Sequence, residues 1–285
     1  MAVCAAQSRR ESPVTNLGAL PPTARHLFTR IQGNTSVTNE ASIAEEVPVA
    51  FVYNQRPHVV MMCSPQDLDD LAVGFTVTEG VCEARDIVRV EVERHQRGIQ
   101  LSIEIPVASG DRLAARARAI SGRTGCGLCG VEAIDDAVRP PRVVDSALRV
   151  THATLFRAGA ALDAWQPLNR ETHTIHAAAW ATTDGVLRVV REDVGRHNAL
   201  DKTLGALLRS GTDPRAGFLL LTSRASFELI QKAAVCGVPL VAAVSRPTGL
   251  AVRMAHDAGI SLVGLLRGET ANVYSHPERV GTGLG

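Results

Sequence analysis

Between Val186 and Leu266 the chain alternates short, unbroken apolar runs with amphipathic helical stretches, and few folds accommodate that pattern. Residues 186–191, 218–222, 239–245 and 260–266 read as strands, and 198–209, 225–236 and 248–258 as the helices between them. Strands that are apolar throughout must be covered on both faces, so the expectation is a set of βαβ units around a buried sheet. Ligands of such sheets sit beyond the carboxyl ends of the strands, where the polar residues gather. The first strand runs into Glu192, Asp193, Gly195, Arg196, His197 and Asn198, and the second into Ser223 and Arg224. The third ends at Ser245 before Arg246, and the fourth runs through Leu265 and Leu266 into Arg267, Gly268, Glu269 and Thr270. If the strands are parallel neighbours, these segments converge on one rim.

Helix starts near Ala225 and Thr248 would point free N–H groups at that rim, which favours an anion. The guanidinium groups of Arg196, Arg224, Arg246 and Arg267 suit phosphate. The expected ligand is phosphorylated or nucleotide-like; the plainer alternative is four solvated loop charges. His197 is either a general acid/base or hydrogen-bond donor to ligand, or a helix-start histidine bonded to backbone. Asp201 and Lys202, one turn on, read as pairing with neighbours.

Upstream, residues 43–106 read as a small α+β unit. Runs 47–53 and 58–63 flank Asn54-Gln55-Arg56-Pro57 as a hairpin, Ser64 opens a helix carrying Leu68, Leu71, Ala72 and Phe75, and runs 87–94 and 99–105 form a second hairpin. A basic helix over 111–121 leads into the glycine-dense stretch Gly122 to Gly130, and Arg139-Pro140-Pro141-Arg142 reads as an extended linker. Residues 1–42 lack periodicity and read as a mobile arm, against the alternative that Leu27, Phe28 and Ile31 dock on the body.

Composition excludes several classes. Lys plus Arg (30) balances Asp plus Glu (29) across 285 residues, and aromatics are 4%, so neither a basic field nor a stacking platform points to nucleic acid. No apolar run approaches the length of a membrane helix, and the first residues lack the pattern of a secretory signal, so the expected location is cytoplasmic. Six cysteines are too dilute for a disulfide scaffold. Cys126 and Cys129 form the only close pair; Cys63, Cys82 and Cys236 read as core residues. Three readings of the pair stay open: structural zinc completed by His173 and His176, an incidental loop pair, or reactive thiol chemistry on a chain that glycines 122, 125, 127 and 130 let move, with Arg123 favouring the thiolate.

Taken together, Glu45-Glu46-Val47-Pro48-Val49, Ala72-Val73-Gly74-Phe75 with Glu79-Gly80, Gly122-Arg123-Thr124-Gly125-Cys126-Gly127-Leu128-Cys129-Gly130, the run Glu192 to Lys202, Ser223-Arg224-Ala225-Ser226, Ala243-Val244-Ser245 and Val273-Tyr274 resemble the formate dehydrogenase accessory sulfurtransferase family, FdhD/NarQ. The resemblance covers roughly residues 43–280. It implies a sulfurtransferase that accepts persulfide sulfur from a cysteine desulfurase on Cys126, with Cys129 beside it. The sulfur then passes to molybdenum-bis(molybdopterin guanine dinucleotide), a bound substrate, before that cofactor enters formate dehydrogenase; no permanently bound metal is implied. The dinucleotide is expected against residues 265–270, together with Arg196, His197, Ser223, Arg224 and Ser245. The implied fold is α/β: a mobile arm (1–42), a small α+β domain ending in the Cys-x-x-Cys loop (43–147), and a cytidine-deaminase-like three-layer α/β/α domain (148–285). A homodimer is also allowed by the resemblance. Two departures stand out: Thr172 to Ile175 replace a stretch that carries glycine in relatives, and Leu265 stands where many relatives place an aromatic. A zinc deaminase of the same fold needs His-x-Glu before Pro-Cys-x-x-Cys, an order this chain lacks. A cofactor-binding chaperone that moves no sulfur is the remaining competitor.

Overall fold

The computed structural model describes residues 16–121 and 140–282. Cys126, Cys129 and Arg123 lie outside the described residues, as do the first 15 residues of the expected arm. The rest of that arm is a correction: β1 (Thr23–Gln32) and β2 (Thr35–Ala44) form an antiparallel ribbon in register from Thr23↔Ala44 to Gln32↔Thr35. Its turn is Gly33-Asn34, with Gly33 at φ +59°, a two-residue hairpin connection of the kind glycine and asparagine favour. Leu27 and Ile31 stay exposed at 75% and 76%, so they do not dock on the body.

The small unit follows, with β3 (Val47–Tyr53), β4 (Arg56–Cys63), α1 (Leu68–Thr78), β5 (Arg89–His95), β6 (Gly98–Glu104) and α2 (Val107–Ser121). The four strands make one sheet in the order β4-β3-β6-β5. Both predicted hairpins are present, and β3 and β6 lie side by side in parallel. Val47, Val49 and Phe51 alternate along β3 onto the face covered by Leu68, Leu71 and Phe75 of α1. Ser64 does not cap α1. The residue before the helix is Asp67, at φ +51°, and Ser64 is buried and faces the other unit.

The large unit contains β7 (Val150–Thr151), α3 (His152–Ala161), α4 (Pro167–Thr172), β8 (His176–Thr182), β9 (Leu187–Asp193), α5 (Arg196–Arg209), β10 (Gly217–Leu221), α6 (Phe227–Val235), β11 (Leu240–Ala243), α7 (Gly249–Asp257), β12 (Ser261–Arg267), β13 (Thr270–Ser275) and β14 (Val280–Gly281). Strands β8 to β13 form a six-stranded sheet in the order β13-β12-β11-β10-β8-β9. Only β10, β11 and β12 run parallel as neighbours; β8 is inserted antiparallel between β10 and β9, and β13 pairs antiparallel with β12. The sheet is therefore mixed rather than a simple βαβ series. Because β9 is antiparallel to a strand that is itself antiparallel to β10, the ends of β9, β10, β11 and β12 still fall on one edge.

Alternate residues face opposite layers. Ala178, Trp180, Leu219, Leu221, Val241 and Ala243 pack against α5, α6 and α7. Ala179, Ala181, Phe218, Leu220, Leu240 and Ala242 pack against Leu155 and Ala158 of α3. Both faces are covered, as the apolar runs required.

The two units join along α1 and α5, whose backbones touch. A Cβ on Gly74 would lie 1.8 Å from the Asp201 carbonyl oxygen, and one on Gly205 would lie 1.9 Å from the Asp70 carbonyl oxygen. Charged groups line the same seam. Asp70, 4% exposed, accepts from Arg191 Nε at 2.8 Å and Arg209 at 2.5 Å.

Candidate functional site

The run from Glu192 to Lys202 is mostly scaffold. Glu192, buried at the end of β9, accepts the backbone N–H groups of Leu168 (3.0 Å) and Asn169 (2.8 Å) at the start of α4. Asp193 is fully buried. One of its carboxylate oxygens accepts from Lys202 Nζ (2.7 Å) and the Ser64 N–H (3.0 Å); the other accepts from the Gly195 N–H (2.8 Å) and Asn198 Nδ2 (2.9 Å). Lys202 also donates to the Ser64 carbonyl, and Ser64 Oγ accepts from the Val194 N–H. A buried carboxylate that accepts four hydrogen bonds is thus paired with a buried ammonium that donates two, the kind of pairing under which such groups persist away from water. Asp201 turns the other way. It accepts from Thr78 Oγ1 (2.7 Å) and from Lys232 Nζ (3.0 Å), which also reaches Glu79 (2.8 Å). Burial alone would lower the Lys232 pKa, but Asp201 and Glu79 outweigh it and hold the ammonium above its ordinary value.

This frame fixes the start of α5, where Arg196 and His197 stand at the rim. His176 begins β8 directly opposite Asp193. Thr222 follows β10 and is hydrogen-bonded both ways with Ala177. The Thr248 N–H reaches the Ala225 carbonyl, the Leu265 N–H reaches the Ser245 carbonyl, and Arg267 Nε donates to the Val244 carbonyl at 3.1 Å. Backbone contacts thus stitch the loops bearing Ser223, Arg224, Ser245, Arg246, Leu265 and Arg267 into one edge, beside Arg196 and His197. Arg224, Arg246 and Arg267 are exposed and Arg196 is half-buried. Helix α7 is capped by Thr248 Oγ1, which accepts from the Ala251 N–H; α6 has no side-chain cap, and Ser226 Oγ at its start is buried without a partner among the described residues.

Not every expected site residue faces the rim. Leu266 is 4% exposed and packs in the α3-side core, so its side chain is structural. Leu265 sits in the irregular stretch of β12 at φ +54°. Gly268 and Glu269 form the exposed turn into β13, where Thr270 Oγ1 donates to the Arg267 carbonyl. Ser223 is buried, with its hydroxyl spent on the Arg224 carbonyl. Sequence reasoning put Asp193 and Asn198 on the rim and read Lys202 as pairing with a neighbour, but it missed the buried frame they form with Ser64; a lysine nine residues after an aspartate carries no local signal of a buried pair.

His176 and His197 are both held below the ordinary histidine pKa, by burial first and then by Arg196; Glu228 Oε2, 2.5 Å from His197 Nε2, opposes the effect there. In the unfolded chain each would titrate near 6.5. On acidification the unfolded chain takes up these protons first, so stability is lost as pH falls through 6.5 toward the folded values. Urea midpoints at about pH 7.5 and 5.5 should therefore separate further for the native chain than for His176→Asn/His197→Asn; equal separations would show that the pair carries none of the pH dependence.

Of the six cysteines, the three described are poor nucleophiles. Cys63 is buried and its pKa is pushed far up by desolvation, while burial raises Cys82 to about 11 and Cys236 to about 12. Among the described residues no group of three or more His, Cys, Asp and Glu is placed to hold a metal ion.

The FdhD/NarQ family model matches residues 44–281. The chain belongs to the FdhD/NarQ family. Its FdhD relatives include the sulfur carrier protein FdhD of Xanthomonas campestris pv. campestris, 46% identical over 256 residues, which span 90% of this chain and 91% of that one. The protein of the same name from Bordetella petrii is 45% identical over 254 residues, covering 88% and 91%. A crystal structure solved under the name of a formate dehydrogenase accessory protein from Desulfotalea psychrophila shares the fold, with a TM-score of 0.73 at 24% identity, covering 91% of this chain and all of that one. The FdhD match takes in both units and the seam between them.

Proposed function

We propose that the chain is a sulfur carrier of formate dehydrogenase maturation: it accepts persulfide sulfur from a cysteine desulfurase on Cys126 and passes it, in the cytoplasm, to molybdenum-bis(molybdopterin guanine dinucleotide) held at the rim. The observation that carries this is the convergence of Arg196, Arg224, Arg246 and Arg267 on one sheet edge in a chain with a single Cys-x-x-Cys pair. Guanidinium forks and free helix N–H groups recognise phosphate oxygens, and a dinucleotide offers several. The names of the relatives support the sulfur half; with Cys63, Cys82 and Cys236 inert, Cys126 and Cys129 are the candidates as the one close pair among the remaining cysteines, Cys4 standing alone. No described helix is long and apolar enough to cross a membrane. Within this reading the large unit is a cytidine-deaminase-type α/β/α layer put to a different use.

In the loading step the Cys126 thiolate attacks the outer sulfur of the desulfurase persulfide. One S–S bond forms as another breaks, and the desulfurase cysteine leaves as thiolate, with no net oxidation. Incubation with desulfurase and cysteine should add the mass of one sulfur atom to the native chain and none to Cys126→Ala. The same variant should leave formate dehydrogenase without measurable activity; full activity with Cys126→Ala would favour a chaperone that moves no sulfur. Cys129→Ala, assayed alongside, separates loading from delivery.

A further inference from the structure

We propose that the cleft at the C-terminal ends of α1, α5 and α6, where Arg112 and Arg142 stand, docks an acidic segment of the persulfide donor. This deepens the carrier reading, on which it rests for the donor's identity as a cysteine desulfurase. The cleft has a volume of about 1010 Å³ and lies between the two units. The start of α2 and residues 142–145 contribute to its walls. These stretches lead toward and away from the run that carries Cys126 and Cys129. Helix α2 ends at Ser121, five residues before Cys126, and Pro140 lies eleven after Cys129. A partner seated here is therefore beside the root of the thiol-bearing run.

Arg85, Arg112, Arg142 and Arg215 line the cleft, and all four are exposed. Helix C-termini attract cations, but these ends do not use the arginines. The last carbonyls of α1 accept the Gly80 and Val81 N–H groups, and those of α6 accept the Gly237 and Val238 N–H groups. Arg85 is engaged by Glu83 (2.7 Å) and Arg215 by Asp213 (2.9 Å). The open donors belong to the other two. Among the described residues Arg142 makes no hydrogen bond or ion pair, and Arg112 donates only to Ser109 Oγ, at 2.8 Å. A carboxylate is the acceptor that a guanidinium fork matches best.

The rest of the lining selects the occupant. Glu83, Asp86 and Asp145 are exposed along the same walls, so a compact polyanion meets carboxylates wherever it meets arginines. Val81, Val144 and Leu208 add apolar surface, and Val143, 70% exposed, stands next to Arg142. A polypeptide segment suits such walls. Its carboxylates stand apart, each able to meet one arginine, and apolar side chains between them cover the valines. Arg116 and Arg118 continue the basic run of α2 toward Ser121, so the charge that draws an acidic segment extends toward the thiols in the chain.

Calorimetry of the full-length chain with the desulfurase, without cysteine so that no sulfur moves, tests this. Arg112→Glu/Arg142→Glu should weaken the complex roughly tenfold or more, because like charges then face each other. Added salt should weaken the native complex more than that of the variant, and pyrophosphate should not displace the desulfurase. Val143→Asp, which adds an acid at an exposed position, should weaken the complex in the same sense, and it decides the matter if the double variant fails to fold. Loading from glutathione persulfide, which needs no docking, should proceed at the native rate in both variants. No measurable native complex, or equal affinity in native chain and variants, would overturn the assignment. So would a salt-insensitive native complex, displacement by pyrophosphate, or loss of loading from glutathione persulfide in the variants. Loading by the native chain keeps the two proposals apart. A chain that loads sulfur while its variants bind the desulfurase as tightly loses the docking site and keeps the carrier role. A chain that binds the desulfurase through Arg112 and Arg142 but loads from neither donor keeps the site and loses the carrier role.

Discussion

Gly205→Ala lowers the melting temperature by roughly 6–12 °C, the shift expected for a loss of about 3 kcal/mol. Propensity alone predicts the opposite sign, because glycine inside a helix costs about 1 kcal/mol relative to alanine. The contact decides. The added Cβ would lie 1.9 Å from the Asp70 carbonyl oxygen, and on the facing helix a Cβ on Gly74 would lie 1.8 Å from that of Asp201. Both obstacles are backbone, so no side chain can swing aside; α1 and α5 must separate, and the Asp70 ion pairs with Arg191 and Arg209 stretch with them. Gly74→Ala should cost as much, and the double variant should fall short of the sum, because the first methyl has already opened the gap. Thermal melts of the three variants check this; a melting temperature at or above that of the native chain would show that the helices have slack.

Lys202→Met is the second large effect, about 3–5 kcal/mol, because it strands the Asp193 carboxylate in a site with no exposure. Asp193 then keeps its bonds from Ser64, Gly195 and Asn198 but has no countercharge. Asp193→Asn/Lys202→Met, which removes both charges, should recover part of the loss, and the cycle of denaturation midpoints measures the coupling. The two single variants should also weaken nucleotide binding, since the Gly195 N–H and Asn198 anchor the turn that presents Arg196 and His197. Unchanged stability in Lys202→Met would mean that water reaches the pair.

The legible parts of the fold were those in which one local signal dominates. The apolar strands β10, β11 and β12 and the amphipathic helices between them stand where their periodicity placed them, and so do both hairpins of the small unit. Strand β8 was not legible, because His176-Ala-Ala-Ala-Trp-Ala-Thr is rich in the residue that most favours helix, and only its place between β9 and β10 makes it a strand. The β1–β2 ribbon was announced by Gly33-Asn34 alone; its flanks mix polar and apolar residues on both faces, and so hid the alternation. At the site, the shared rim was legible because strand direction dictates it. That Leu266 points into the core was not, since a one-residue change of register moves a side chain to the other face. The division of work within the run from Glu192 to Lys202 needed coordinates too: only two of its charged or titratable members, Arg196 and His197, present themselves at the edge, and the others hold them there.

Consecutive residues of one helix, Asp201 and Lys202, are anchored in opposite directions, the first through Thr78 and Lys232, the second through Asp193 and Ser64. This welds the halves of the molecule more firmly than sequence-drawn boundaries suggest. A fragment cut between them would carry Asp70 away from both its arginines and leave Asp193 without the backbone of Ser64. Neither half is a transplantable module, and grafting the arginine edge onto another scaffold would have to bring the opposite half along.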